Sequence, residues 1–236
     1  MIYRIEPKIF AQYPAFVRGV VVASHVNNTS AANVELDQLL RQRTKEIEVD
    51  PAVSVDHFRI KAWSDVYRTF EFKEARKLHP SIWQLVGRIK KQKTIPFISP
   101  LVCISNLISL THLTPSGLVD ASQVVGDLVL GYALGSESFV PIGGGQSCAP
   151  WPGEIIYYDS GSGNVMCRAW NNRGGQETAV LATTKTAIID VDGLLTAIPR
   201  EEIETATIAA ADLVQRFCGA STTVHFLSST NPTLVW

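Results

Sequence analysis

The run TAIIDVDG, residues 186–193, is a strand pattern that carries two carboxylates within it. Alternation along a strand puts Ile188, Asp190 and Asp192 on one face and Ala187, Ile189 and Val191 on the other. A carboxylate in the middle of a core strand is costly unless it is satisfied. Two readings follow. Either Ile188 belongs to a half-solvated face and both aspartates lie in water near a strand end, or Asp190 is a candidate for chemistry.

Reading outward, REEIETATIAAADLVQRFC (200–218) is helical and stops at Gly219, a suitable glycine for a helix C-terminus, and TTVHFL (222–227) suits an edge strand. On the other side lie the short β-rich runs DLVLGYAL (127–134), SFVPI (138–142) and EIIYYD (154–159). The turn DSGSGN then leads into VMCRAW (165–170). The first third alternates strand and helix. FVRGVVVASHV (16–26) is β-branched, and the helix after it opens at the cap candidate Ser30 and carries Val34, Leu36, Leu39 and Leu40. Apolar positions Phe58, Ala62, Val66 and Phe70 predict one more helix, and Ile82, Leu85, Val86 and Ile89 another that starts at Pro80 and Ser81. LVCISNLISLTHL (101–113) is apolar almost all round and reads as a buried helix in which Ser105 and Asn106 stand out. No repeat or linker divides the chain. It reads as one α+β domain over 1–236, with a mixed sheet packed with helices around a pocket.

Composition narrows the function. Twenty-one basic against 22 acidic residues give a formal charge of −1 over 236 residues. The molecule as a whole therefore exerts no pull on nucleic acid, and any such contact must be local. The four cysteines have no C-x-x-C pair and the five histidines are scattered, so neither a metal site nor a cofactor is expected. Neither a G-x-S-x-G elbow nor an H-E-x-x-H helix occurs. The N-terminus lacks a signal-peptide pattern and no apolar run reaches a membrane span, so a cytoplasmic, unprocessed chain is expected, and a homodimer is compatible with it.

Two further features carry candidate residues. FVPIGGGQSCAPWPGEIIYYD (139–159) holds Gly143, Gly144 and Gly145, but no Lys-Ser/Thr and no helix follow, so it is not a phosphate loop. A plain turn and a pocket wall both remain open. Arg68, Lys73, Arg76, Lys77, Arg88, Lys90, Lys91 and Lys93 face only Glu71 and Glu74 over that stretch. This local positive patch fits phosphate contacts or a solvated helix face.

The succession HPSIWQLVGRIKKQKTIPFISPLVCISNLISLTHLTPSGLVD, VVGDLVLGYALGSESFVPIGGG, GEIIYYD, NVMCRAWNNRGG and TTKTAIID, over residues 79–192, resembles the B3/B4 editing domain of the phenylalanyl-tRNA synthetase beta subunit. Residues 1–78 would then extend the same domain, with the C-terminal helix at 199–218. The resemblance implies a free-standing hydrolase that removes a wrongly attached amino acid from the 3′ end of tRNA. A module that only binds an amino acid or a tRNA end is the alternative. It implies Asn106 and Asp190 as catalytic, and Ser105, Gly143, Gly144, Gly145, Trp170, Asn171, Gly174 and Gly175 as substrate-binding. Arg88, Lys90, Lys91 and Lys93 would bind tRNA. Three positions depart from the family pattern: Gly117 replaces a histidine, Asp190 a glutamate, and Trp170-Asn171 a small Ala-Gly pair. The Trp170 indole is expected either to fill the pocket and restrict it to small amino acids or to line it and stack on the ligand, with filling the favoured reading.

Overall fold

The computed structural model describes residues 1–29, 33–72 and 74–236. The cap candidate Ser30 and the basic-patch residue Lys73 lie outside them.

The strand read from TAIIDVDG forms as β8 (Thr186–Leu194), and it is central. It pairs antiparallel with β2 (Phe16–Ser24) on one side and β3 (Ser116–Asp120) on the other, and β9 (Ser221–Leu227) pairs with β2 at the far edge. A second sheet of six strands runs β10 (Thr233–Val235), β1 (Ile2–Ile5), β4 (Leu128–Tyr132), β5 (Ile155–Asp159), β6 (Val165–Arg168), β7 (Arg173–Gly174). It is mixed, since β1 runs parallel to β4 while the other pairs are antiparallel. The expected α+β fold with a mixed sheet thus forms, with the antiparallel four-stranded sheet beside it. The short terminal strands β1 and β10, each tethered by one or two partners, left no periodicity to read.

The alternation in β8 explains the layering. Ala187, Ile189 and Val191, with Val17, Val21 and Ala23 of β2, pack under helices α2 (Val34–Val49), α4 (Ser81–Lys90), α5 (Pro100–His112) and α6 (Arg200–Cys218). Ile188 of β8, with Phe16 and Val20 of β2, faces the six-stranded sheet, where Tyr3, Leu130, Ile155 and Tyr157 complete a second core. The four-stranded sheet is therefore covered on both sides, which is why its strands read as near-continuous apolar runs. Among the described residues no helix is long and apolar enough to cross a membrane.

Two readings of elements need correction. In α3 (Phe58–Arg68) the buried side chains are Ile60, Trp63 and Tyr67, while Phe58 is 60% exposed. A stripe taken every four residues drifts around a helix with 3.6 residues per turn, so the i, i+3, i+7 set is buried most deeply. Ala62, Val66 and Phe70 of the expected stripe pack half-buried against the second core, and only Phe58 leaves it. SFVPI forms no strand of its own. Ser138, Phe139 and Pro141 make single bridges to Asn164, Cys148 and Gly175, because the proline cannot extend a ladder.

Gly19 of β2 marks the closest approach of sheet and helix. A Cβ built there would lie 1.8 Å from Thr207 Oγ1 of α6. Gly19→Ala must push the two apart and is expected to cost about 1–3 kcal/mol of stability, as other overpacked cores do; denaturant unfolding would measure it.

Candidate functional site

Asp190 and Asp192 are 5% and 2% exposed, so neither is a solvated strand-end aspartate. What satisfies them is Arg18, the direct cross-strand partner of Asp192 on β2. Its Nε and Nη2 donate to the two carboxylate oxygens of Asp192 at 2.6 and 3.1 Å, a bidentate pair. Its Nη1 donates to the Tyr3 hydroxyl, which donates onward to Asp190 Oδ1 at 3.0 Å. Asp190 Oδ2 has only Arg18 Nη1, at 3.6 Å. Burial raises the Asp190 pKa to about 6, with Arg18 opposing the rise and Asp192 adding to it. Two carboxylates share one guanidinium, so this end of the site has one negative charge in excess once Asp190 ionises.

Arg18, Asp190 and Asp192 line a cavity of about 310 Å³ between the two sheets and α5, whereas Tyr3 is fully buried and outside the lining. Ser105, Asn106, Gly174 and Asp190, expected to converge from a helix, a loop and a strand, all line it, with Gly174 on the short edge strand β7 instead of a loop. Ser105 Oγ donates to the Ser116 carbonyl at 3.1 Å and is committed to holding α5 against β3. The Asn106 side chain makes no hydrogen bond to any described residue and is half-buried at the cavity mouth. Gly117 pairs in register with Asp190, and a Cβ added there would meet nothing within 4 Å, so the missing histidine leaves open space opposite the carboxylate.

Several assignments change on the geometry. Gly143, Gly144 and Gly145 are exposed, adopt φ of +93°, +85° and +133°, and do not line the cavity. They serve as the turn that brings Ile142 over Gly174. The Gly175 amide donates to the Met166 carbonyl at 2.7 Å, so it is not available to an oxyanion. Trp170 touches the cavity but is only 1% exposed. Its ring packs edge-on against Phe16, Tyr13 and Trp63 at centroid distances of 4.8, 5.0 and 5.4 Å. The indole is thus part of the cavity floor and anchored in the core, not a plug within the opening. Ala169 and Trp170 hold positive φ, fixed by the Tyr67 hydroxyl, which donates to Ala169 O and Asn171 Oδ1. The turn delivers Asn171 Nδ2 to Asp192 Oδ2 at 3.2 Å. Asn171 therefore supports the carboxylate pair.

Outside the mouth runs a groove of about 470 Å³ lined by Arg88, Lys91 and Lys93, with no carboxylate side chain along it. It shares Ser81, Asn106, Ser116 and Asn172 with the cavity, so the two form one continuous depression. Lys90 is turned away, donating to the Asp50 carbonyl at 2.7 Å near the end of α2, and leaves the set. Among the described residues no His/Cys/Asp/Glu cluster is arranged to hold a metal ion.

A sequence model of the B3/4 domain matches residues 65–219, well over half of the chain. The chain belongs to the B3/4 domain family. The match begins within α3 and runs to the end of α6, so it takes in the whole cavity lining except Arg18. Among solved structures, the crystal structure of an N-terminal fragment of the phenylalanyl-tRNA synthetase beta-subunit from Pyrococcus horikoshii is similar, with a TM-score of 0.46 and 13% identity. That match covers 92% of this chain and 49% of the other, so this B3/4 chain spans about half the length of that fragment. No curated protein matches.

Arg18 and Tyr3 were missed from the sequence. A signal for Arg18 was present: a guanidinium inside FVRGVVVAS, on the same strand face as Phe16 and Val20, demands a buried carboxylate, and TAIIDVDG offers two. Tyr3 left no such mark.

Proposed function

We propose that this B3/4 domain is an aminoacyl-tRNA editing hydrolase that acts in trans, cleaving the ester between a mis-attached amino acid and the terminal ribose of tRNA. The observation that carries this reading is one continuous depression, leading from a groove bearing Arg88, Lys91 and Lys93 to the buried Asp190, whose Oδ2 meets only Arg18 Nη1 at 3.6 Å. The exposed Arg173 also lines the cavity, so its two carboxylates are matched in number by two guanidinium groups. An aminoacyl ester on an RNA end has the matching polarity, with phosphates outside and an ammonium within. Asp190, through the oxygen that Arg18 holds only loosely, takes the ammonium. Asn106, with its amide unspent at the junction, holds the ester carbonyl or the attacking water. Water adds to the carbonyl carbon, the acyl–oxygen bond breaks, and the ribose hydroxyl leaves with a proton. Such an ester is activated, so positioning and general acid–base help suffice without a covalent nucleophile. The Cys167 thiol lines the cavity, but burial pushes its pKa up to about 12, which removes it as a nucleophile.

One observation favours the second reading, a module that binds an amino acid or tRNA end without cleaving it. The space opposite Asp190 at Gly117 holds no acid–base group. Deacylation of a panel of mischarged tRNAs by the chain alone decides between them: hydrolysis of at least one is expected, and binding without hydrolysis of any would establish the module instead.

The basic groove makes a separate prediction. Lys91→Gln with Lys93→Gln should weaken tRNA binding and flatten the slope of log K against log salt by about 0.7–0.9 for each phosphate that is no longer neutralised. Lys90→Gln should leave the slope unchanged. Titration at several salt concentrations reads both.

A further inference from the structure

We infer that the groove outside the cavity recognises an unpaired RNA end by stacking a nucleobase on the Trp83 indole; the inference rests on the editing reading only for which end of the chain enters the cavity. Trp83, half-buried on α4, lines the groove beside Arg88 and Lys91. One face of its ring is already stacked on the His79 imidazole, with centroids 3.8 Å apart and planes 11° from parallel. Partial burial lowers the His79 pKa, so the imidazole beneath the indole is neutral at neutral pH. The pair is held rigidly. The His79 carbonyl accepts from Asn172 Nδ2 at 2.6 Å and from Gln84 Nε2 at 3.1 Å, and Asn172 is one of the residues shared by groove and cavity. The platform is therefore fixed relative to the mouth.

One helical turn on, Gly87 leaves the ring uncovered where any side chain would begin 3.9 Å from Trp83 Cζ3. An aromatic surface, a row of cations and no carboxylate is the combination that binds single strands, because every base has a π-face and the phosphates follow the cations. A duplex hides its base faces and could offer only phosphates. An acidic peptide such as polyglutamate would satisfy the cations but has no aromatic face for the indole.

The test uses a fluorescently labelled RNA trinucleotide with a free 3′-hydroxyl, titrated by anisotropy. Trp83→Leu is expected to weaken binding about tenfold, whereas Trp83→Phe stays within about threefold of the parent, given what base–aromatic stacking contributes. Because Trp83 also packs on the core, Gly87→Leu supplies a second arm: a Cβ there meets Val55 at an ordinary 3.4 Å, and the added side chain covers the ring and should weaken binding comparably. Equal binding by the parent and both Leu variants overturns the platform, as does equal competition by a blunt RNA duplex or by polyglutamate. Loss of trinucleotide binding in both variants, in a protein that hydrolyses no aminoacyl-tRNA, retains the platform and removes the hydrolase. Hydrolysis with unchanged KM in both variants does the reverse.

Discussion

Arg18→Met is expected to lower the unfolding free energy at pH 7.5 by about 3–5 kcal/mol, the usual penalty for leaving a buried charge without its partner. Arg18 is 3% exposed and, among the described residues, is the one cation bonded to Asp192 and to the Tyr3 hydroxyl that anchors Asp190. Removing it leaves two buried carboxylates on one strand face with only the Tyr3 hydroxyl and the Asn171 amide as partners. The loss should shrink at pH 5, where protonation relieves one of the charges. Adding Asp190→Asn and Asp192→Asn to Arg18→Met should recover most of the stability, since a pair replaced as a whole leaves nothing unpaired. Denaturant unfolding at the two pH values checks all three expectations. A loss independent of pH and unrelieved by the asparagines would mean that the arginine acts by volume alone.

The second large effect is on activity. Asp190→Asn should reduce kcat/KM for aminoacyl-tRNA about 100-fold or more, while the protein remains at least as stable at pH 7.5. The two effects have opposite signs for one reason. Asp190 has a native pKa of about 6 against about 3.9 for an unperturbed aspartate, so between those values the native state holds a proton that the unfolded chain has released. Stability therefore falls as pH rises through this window, by about 3 kcal/mol in all, and the loss is complete above about pH 6. Asparagine carries no such penalty. A carboxylate kept buried at a cost to stability is characteristic of a functional group. For the ligand the direction reverses: an ammonium is drawn to the ionised form, so affinity for an α-amino acid ester should rise as pH passes about 6 and fall again as the ligand's own α-amino group deprotonates, at or below about 7.7. An Asp190→Asn variant that keeps full activity would move the ammonium to another part of the cavity.

The outline of this B3/4 domain was legible because its four-stranded sheet is covered on both faces and its helices pack on it by single stripes. Such burial writes long apolar runs and helical periods into the sequence, and β2, β8, α2, α4, α5 and α6 all formed where those patterns lie. The polar interruptions Ser105, Asn106 and Asp190 were legible for the same reason, since a polar residue in an apolar run must be satisfied or used. What only the tertiary structure decided is which groups meet. Arg18 and Asp190 are far apart in sequence and come together solely through the β2–β8 register. Tyr3 reaches them from the other sheet. Likewise Trp170 looked like a plug because a sequence shows the size of a side chain but not its direction. The positive φ at Ala169 and Trp170 turns the indole into the aromatic core and leaves Asn171 on the carboxylates. Local pattern determined the layers, because burial of a face is a property of one element. The charge of the cavity is a sum over Arg18 of β2, Arg173 of β7 and the two aspartates of β8, so it existed only once the sheets had closed on one another.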